Sequence, residues 1–411
     1  MIEPRTLKGF RDFLPLEARK RQYVIATLKT VFEQYGFEPL ETPVLEYEEI
    51  LIGKYGDEGD QLMYRFEDNG KRRVAMRYDQ TVPLARVVAQ FANILPFPFK
   101  RYQIQPVWRA ENTQKGRYRE FMQCDIDTIG VDSALADAEI ITTALIAYKA
   151  LGFKNFKILI NDRKVFANLA TQTIVSIDKL KKIGADAVAQ ELVTKKLVGS
   201  IAEAKIMLQE LLDRQPTERI IQIFKALEEL GVEQSLIEFS PTLARGLNYY
   251  TGMIFEIEIP EYPVGSVCGG GRYDELIGMF ADKQIPAVGL AVGFDRTIEA
   301  MDTLELFPAE IALSSTKVLV TVFSDTLKEK SLEICSRLRS TNIASEVYLG
   351  EIKARNPLEK QLKYAASKNI PYVLVIGPQE AEKNIVTLKN IQTREQISAS
   401  LEEILHEYLQ K

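Results

Sequence analysis

Charged and amide side chains are dense from Phe99 to Ile129, FKRYQIQPVWRAENTQKGRYREFMQCDIDTI. A period of two gives a strand, a charged loop and a second strand. In the first strand Ile104, Pro106, Trp108 and Ala110 share one face, and Gln105, Val107, Arg109 and Glu111 share the other. In the second, Met122, Cys124 and Ile126 alternate with Gln123, Asp125 and Asp127. The polar loop between them carries Lys115 and Arg117, with Arg119 just beyond. This pattern fits an antiparallel hairpin with one solvated face. It fits equally a floor for an anionic ligand, with Arg109 on rigid backbone and the loop cations closing over it.

Three further stretches could carry chemistry. Ala244-Arg-Gly-Leu-Asn-Tyr-Tyr-Thr-Gly252 places two adjacent tyrosines between glycines, near Arg245. It could grip a small polar ring, or simply begin a strand. In Cys268-Gly-Gly-Gly-Arg-Tyr-Asp274 three glycines let backbone approach a ligand, though glycines also serve bends. Ala287-Val-Gly-Leu-Ala-Val-Gly-Phe-Asp-Arg296 alternates small residues along a strand before a helix near Phe294. That leaves room for a flat ring, with Arg296 as a phosphate partner, or for close strand–helix packing. There is no GxxxxGK[ST] loop and no GxGxxG fingerprint, so a nucleotide would be held another way.

Composition narrows the classes. A chain of 411 residues with 46% apolar content supports two or three domains with real cores. A net charge of −5 argues against a wholly basic nucleic-acid binder. From Thr316 to Lys411 there are 14 Lys/Arg against 12 Asp/Glu, so a slightly basic tail follows an acidic body. The three cysteines, Cys124, Cys268 and Cys335, form no zinc or redox spacing, and the single histidine is His406. Structural zinc and histidine-based acid–base catalysis are therefore not expected, and no protein-only metal site is. No signal peptide or apolar run of membrane length is seen, so a soluble, cytoplasmic protein without membrane partners is expected.

The elements that would position these residues follow in order. A helix is predicted over Pro15 to Tyr35, stopped by Gly36, then a proline-punctuated extended segment around Pro43. Two strands, Tyr64 to Asp68 and Arg73 to Arg77, flank a turn, and a helix runs over Asp79 to Ala89 with Pro83 in its first turn. After the hairpin come a helix over Ala134 to Leu151 and a strand over Phe156 to Ile160. A helical insertion at about 162–232 is predicted as Val165 to Val175, Asp186 to Leu197, Ile201 to Leu212 and Thr217 to Leu230. Strands resume at Gly252 to Ile259. From Thr316 the alternation of strands and helices, ending in a helix over Ile397 to Leu409, predicts a compact α/β domain with a largely parallel sheet.

Taken together, these stretches resemble the class II aminoacyl-tRNA synthetases over nearly the whole chain, and within them the histidyl-tRNA synthetases. The surroundings of Pro43 look like the dimer-interface motif of the class. Arg109 with Glu111, the basic loop, and Arg117 to Phe121 look like its second motif, and Gly289 to Arg296 like its third. The segment Arg245 to Gly252 is similar to the histidine-specific signature, supported by Arg77 to Thr81 and Gln123 to Asp127. Asn356 to Gln396 resembles the anticodon-binding domain of the subgroup.

The resemblance implies an α+β fold: an antiparallel sheet with flanking helices and the helical insertion (1–312), then an anticodon-binding α/β domain (316–411). It implies a homodimer that activates L-histidine with ATP, as Mg-ATP with Mg2+, and transfers it to histidine tRNA. Arg109 and Arg245 would be catalytic. Arg109 would hold the α-phosphate and the substrate carboxylate, and Arg245 would stabilise charge at the α-phosphate. Asp79 and Thr81 would receive the α-amino group, and Gln123 would contact the substrate. Asp127 and Tyr250, with Tyr249 adjacent, would read the imidazole. Glu111, Arg117 and Arg296 would contact ATP and Phe121 would stack on adenine. Gln114 and Lys115 would meet the tRNA acceptor end. Asn248 stands where aspartate is frequent, Asp79 and Asp127 where glutamate also occurs, and Asn112 where a basic residue can occur. The alternative is a non-catalytic relative that regulates a histidine-biosynthesis ATP phosphoribosyltransferase. The presence of Arg109, Arg245, Arg296 and the tail argues against it, and the paired tyrosines argue against a synthetase for proline or threonine.

Overall fold

Helix α1 (Pro15–Gln34) starts at a proline, whose missing N–H costs nothing in a first turn, and buries Val24, Leu28, Val31 and Phe32. The chain then reverses at Gly36, where φ is 75°. The computed structural model describes residues 1–54, 56–113, 117–244, 249–352 and 356–410, with backbone alone for 56–58. The expected contacts of Gln114, Lys115 and Arg245 lie outside the described residues. The chain divides into two compact units, Met1–Leu306 and Phe307–Lys411.

The first unit is built on an eight-stranded sheet. Its strands are β1 (Glu38–Pro39), β2 (Phe99–Trp108), β3 (Glu120–Ile129), β4 (Lys157–Asp162), β5 (Ile237–Phe239), β6 (Met253–Glu258), β7 (Cys268–Arg272) and β8 (Ala287–Val292). Their order is β1-β2-β3-β8-β7-β6-β4-β5. Only the edge pairs β1–β2 and β4–β5 are parallel. The six central strands are antiparallel. Such a sheet can cover one face with a core and give the other to polar groups.

Helices enter in chain order. Helix α2 (Thr81–Phe91) precedes β2, and α3 (Ala134–Ala150) follows β3. Ser133 caps α3 by accepting from Ala136 N at 3.1 Å. Ile140, Ile141, Ala144, Leu145, Ala147 and Tyr148 of α3 are buried. The helix packs on β3, β7 and β8. Its Asp137 pairs with Arg272 of β7, with Arg272 Nε donating to Oδ1 at 3.0 Å. By strand parity this face also carries Cys124, Ile126, Leu290 and Val292, so the opposite face holds Gln123, Asp125, Asp127, Gly289 and Ala291. A smaller three-stranded sheet joins Leu45–Tyr47, Arg73–Met76 and Arg65–Glu67.

Parallel strands need a crossover, and the β4–β5 crossover is the helical insertion. It contains α4 (Thr171–Ile177), α5 (Leu180–Thr194), α6 (Ile201–Leu212) and α7 (Glu218–Glu229). Val165, Phe166, Ile174, Ile177, Val188, Leu192, Leu208 and Leu211 form its own core. The first helix starts six residues later than expected, because Arg163–Phe166 tightens into a 3-10 turn capped by Asp162. The second starts earlier and breaks at Gly184, where φ is 81°. Helix α8 (Phe294–Thr303) follows β8 directly.

In the second unit a five-stranded sheet runs in the order Ser345–Val347, Val318–Val320, Tyr372–Val375, Val386–Asn390, Gln396–Ala399. The first three are parallel and the last two join antiparallel, so the sheet is less parallel than expected. Helices Lys328–Ser340 and Pro357–Ser367 connect the parallel strands. The final helix begins at Leu401, capped by Ser400, and Gln396–Ala399 is an edge strand rather than its first turn. Val318, Val320, Ile334, Leu338, Leu374 and Ile376 belong to a core separate from that of the first unit.

Candidate active site

On the polar face of the sheet lies a cavity of about 440 Å³. Its floor is β3, β8 and β7, and small residues make it a cavity rather than a packed layer. Gly289 pairs with Asp127 across the β3–β8 ladder. A Cβ there would overlap the Asp127 carboxylate and come within 2.8 Å of Ile126 O. A Cβ at Gly271 would lie 2.9 Å from the Tyr250 ring and 2.5 Å from Met253 O.

Eleven of the residues singled out from the sequence line this one cavity: Asp79, Thr81, Arg109, Glu111, Arg117, Phe121, Gln123, Asp127, Tyr249, Tyr250 and Arg296. They come from five separate segments of chain. The other three, Gln114, Lys115 and Arg245, lie outside the described residues.

Each position has a local cause. Arg109 follows β2 directly and is held on both sides. Its Nε donates to Tyr78 O at 3.1 Å, and its guanidinium lies 4.4 Å from the Tyr78 ring centre and 5.1 Å from that of Phe121. Asp79 Oδ1 accepts from Val82 N at 3.1 Å at the start of α2. Its neighbours anchor that segment to β2: Arg77 Nη1 donates to Gln105 Oε1 at 2.8 Å, and Gln80 Nε2 to Gln105 O at 2.9 Å. Arg117 Nη1 stands 3.8 Å from Glu111 Oε2, a loose and largely exposed pair worth little in the free chain. Arg296 donates to Ser266 O beside the cavity mouth. Next to it, Asp295 pairs with Arg21 at 2.6 Å and Arg11 at 3.0 Å, and Arg11 stacks on Tyr118.

Burial is uneven along the cavity. Asp79, Gln123 and Asp127 are buried, whereas Arg117 and Arg296 are exposed. Tyr249, Tyr250 and Tyr273 form an aromatic wall, with ring centres 4.8 Å apart for the first pair and 5.8 Å for Tyr249 and Tyr273. The Tyr273 hydroxyl donates to Asp127 Oδ1. Burial pushes the Tyr273 hydroxyl far up, so it remains a donor. Among the described residues no donor reaches the buried Gln123 Oε1, while Gln123 Nε2 donates to Asp125 Oδ2 at 3.0 Å. The deep end thus offers carboxylate, amide and phenol groups to a small polar ring. The mouth offers arginines to an anion.

Comparison with known proteins decides the family. The family model described as histidyl-tRNA synthetase matches residues 9–297, and that of an anticodon binding domain matches 317–411. The histidine–tRNA ligase of Cytophaga hutchinsonii is 40% identical, with all of both chains covered. The chain belongs to the histidyl-tRNA synthetase family. As a member of this family it is an enzyme, a class II aminoacyl-tRNA synthetase that uses ATP for aminoacylation. The crystal structure of histidyl-tRNA synthetase from Nostoc sp. PCC 7120 superposes with a TM-score of 0.82 at 30% identity, covering 98% of this chain and 99% of that one. An ATP phosphoribosyltransferase regulatory subunit/histidyl-tRNA synthetase from Bacillus halodurans covers 87% of this chain and 96% of its own. It has a TM-score of 0.70 but only 23% identity, which shows a common fold alone.

Three residues of the site carry no role on sequence alone. Tyr273 lies within the glycine-rich stretch. Asp125 lies on the polar face of the second strand. Arg101 was not singled out, although it shares parity with Gln103, Gln105 and Arg109 and stands opposite Asp127 in the β2–β3 ladder. A register drawn symmetrically about the hairpin loop would have found that pairing.

Proposed function

We propose that this chain is a histidine–tRNA ligase. It activates L-histidine with ATP to histidyl-adenylate and pyrophosphate, then transfers histidine to the 3′ end of histidine tRNA. The observation that carries the reading is the convergence of the eleven residues on one cavity whose deep end is polar and whose mouth is cationic.

In the first step a carboxylate oxygen of histidine attacks the α-phosphorus, and the bond to the β-phosphate breaks. The transition state is crowded with negative charge, so fixed arginines aimed at it lower the barrier. Arg109 holds the carboxylate and the α-phosphate together, and Arg245 adds charge at the same phosphate. Asp79 and Thr81 receive the α-ammonium group, and Gln123 contacts the substrate. Asp127 and Tyr250, with Tyr249 beside them, read the imidazole. A carboxylate and a phenol can satisfy both ring nitrogens, and an apolar impostor would leave them unpaired. At the mouth Glu111, Arg117 and Arg296 contact ATP, and Phe121 stacks on adenine. Mg2+ would come with the nucleotide as Mg-ATP and would supply neutralisation of phosphate charge. In the second step a hydroxyl of the terminal ribose attacks the activated carbonyl and AMP leaves.

Residues 1–312 form the catalytic domain, with the insertion at about 162–232. Residues 316–411 read the anticodon, and Gln114 and Lys115 meet the acceptor end. A homodimer is favoured by apolar side chains exposed around Pro43: Val44, Leu45 and Tyr47, with Phe66 nearby. A cytoplasmic location accompanies the tRNA partner, and no described helix is long and apolar enough to cross a membrane. The test is pyrophosphate exchange into ATP with each of the twenty amino acids, without tRNA. Exchange with histidine alone supports the reading. Exchange with another amino acid overturns the roles of Asp127 and Tyr250, and none at all from a folded protein overturns the enzyme.

A further inference from the structure

Arg101 is fully buried, with no side-chain exposure, on the same face of the sheet as the residues at the deep end of the cavity. It stands opposite Asp127 in the β2–β3 ladder, and its Nη2 lies 2.7 Å from Asp127 Oδ2. The contact is an ion pair without hydrogen-bond alignment: among the described residues, Arg101 Nε and Nη2 and Asp127 Oδ2 have no aligned partner. Arg101 Nη1 donates to Gln103 Oε1 at 3.4 Å. A buried guanidinium is costly to place and needs either a set of acceptors or a counter-charge.

The groups around Asp127 explain why such a charge is needed. Asp125 lies two residues away on the same face, and Asp79 faces the same cavity. Gln123 and Gln103 are neutral, β8 contributes only Gly289, and Tyr249, Tyr250 and Tyr273 are phenols. Arg109 is a cation of the cavity wall, held beside Tyr78 and Phe121, and Arg117 and Arg296 line the mouth. Burial pushes Asp127 upward, and Arg101 and the Tyr273 hydroxyl pull it back, while Asp79 adds to the rise.

We propose that Arg101 is a positioning residue for imidazole recognition: paired to Oδ2, it keeps Asp127 ionised and fixed, so that the remaining acceptor positions of the carboxylate face the ligand. A carboxylate has about four acceptor positions. The Tyr273 hydroxyl takes one on Oδ1 and the Arg101 pair a second on Oδ2, which leaves about two, held in fixed directions, to take a ring N–H. The pair is neutral overall, so the pocket accepts an uncharged imidazole rather than an imidazolium. This inference rests on the reading that Asp127 meets the imidazole.

The test uses the full chain in histidine-dependent pyrophosphate exchange, with thermal unfolding as a check on folding. Arg101→Met at pH 7 is expected to raise KM for histidine roughly 10- to 100-fold, the worth of a hydrogen bond to a charged group. KM for ATP is expected to stay put. The histidine deficit should shrink from pH 7 to pH 9, because an unpaired buried Asp127 regains its charge as pH rises. The deficit is read as the ratio of the two chains' KM values at each pH, so that titrations present in both, of the substrate α-ammonium group and of Asp125, divide out. Arg101→Lys keeps the charge and is expected to raise KM for histidine less, with a flat profile. An unchanged KM for histidine in Arg101→Met overturns the proposal. So does a pH-independent loss in which KM for ATP and for histidine rise together. If Arg101→Met does not fold, Arg101→Gln, which keeps a donor without the charge, decides: an unchanged KM for histidine overturns the proposal. Asp127→Asn separates the two layers. If it binds histidine normally, the imidazole reading itself fails. If it is defective while Arg101→Met is normal, only the role of Arg101 falls.

Discussion

Asp125 departs from ordinary carboxylate behaviour inside the cavity. Its carboxyl is pushed up to about 8, first by burial, then by Asp127 and Asp79, against the opposing pull of Arg101. Between roughly pH 4 and pH 8 the folded chain therefore holds a proton that the unfolded chain has released. The folded pKa is raised, so this site costs stability as pH rises, by about 1.4 kcal/mol per pH unit across that window. Asp125→Asn removes the titration and keeps an acceptor for Gln123. Its melting temperature relative to the unsubstituted chain is expected to climb from pH 5 to pH 8, measured by calorimetry in matched buffers. A difference that stays constant with pH would show that Asp125 titrates normally.

At the scale of elements, the site depends on strands that pair without side chains to spare. Gly289 is the tightest case, because its missing Cβ is the space taken by the Asp127 carboxylate. Gly289→Ala is expected to lower kcat/KM for histidine roughly 10- to 100-fold, from the usual cost of overpacking. Histidine-dependent exchange measures this, and normal exchange would show that Asp127 can move aside. The β2–β3 hairpin was legible because apolar and polar residues alternate through the middle of each strand, Tyr102 to Pro106 and Met122 to Asp127. That its polar face is covered was not legible. Asp125, Asp127 and Arg101 look like surface residues until α2, β8 and the Tyr249–Tyr250 segment, distant in sequence, are folded over them. The strand order is similarly hidden, since β8 enters between β3 and β7. Gln396–Ala399 was misread because four residues cannot distinguish a period of two from the start of a helix.

At the scale of the molecule, each unit buries its own apolar side chains. A chain ending at Leu306 is therefore expected to fold and to keep pyrophosphate exchange within a few-fold, while aminoacylation of histidine tRNA falls sharply. Charging of tRNA at the full rate by that truncation would reject the anticodon-reading role of the second unit. The tail's sequence showed its alternating elements and its slightly basic balance. Which residues touch a tRNA is a property of a surface, and neither periodicity nor composition reports it.

The gradient of burial along the cavity bears on kinetics as well as on recognition. Of the described residues assigned to histidine, Asp79, Thr81, Gln123, Asp127 and Tyr250 are buried, and the exposed Arg117 and Arg296 assigned to ATP stand at the mouth. A nucleotide seated across the mouth would stand in the doorway of the amino acid, whereas histidine at the bottom leaves the doorway open. Substrate addition is then expected to be ordered, histidine before ATP. In stopped-flow experiments, pre-equilibration with an ATP analogue that cannot transfer its AMP group should slow histidine entry, and pre-equilibration with histidine should leave nucleotide entry unchanged. Equal entry rates in either order would mean that the amino acid has a second way in.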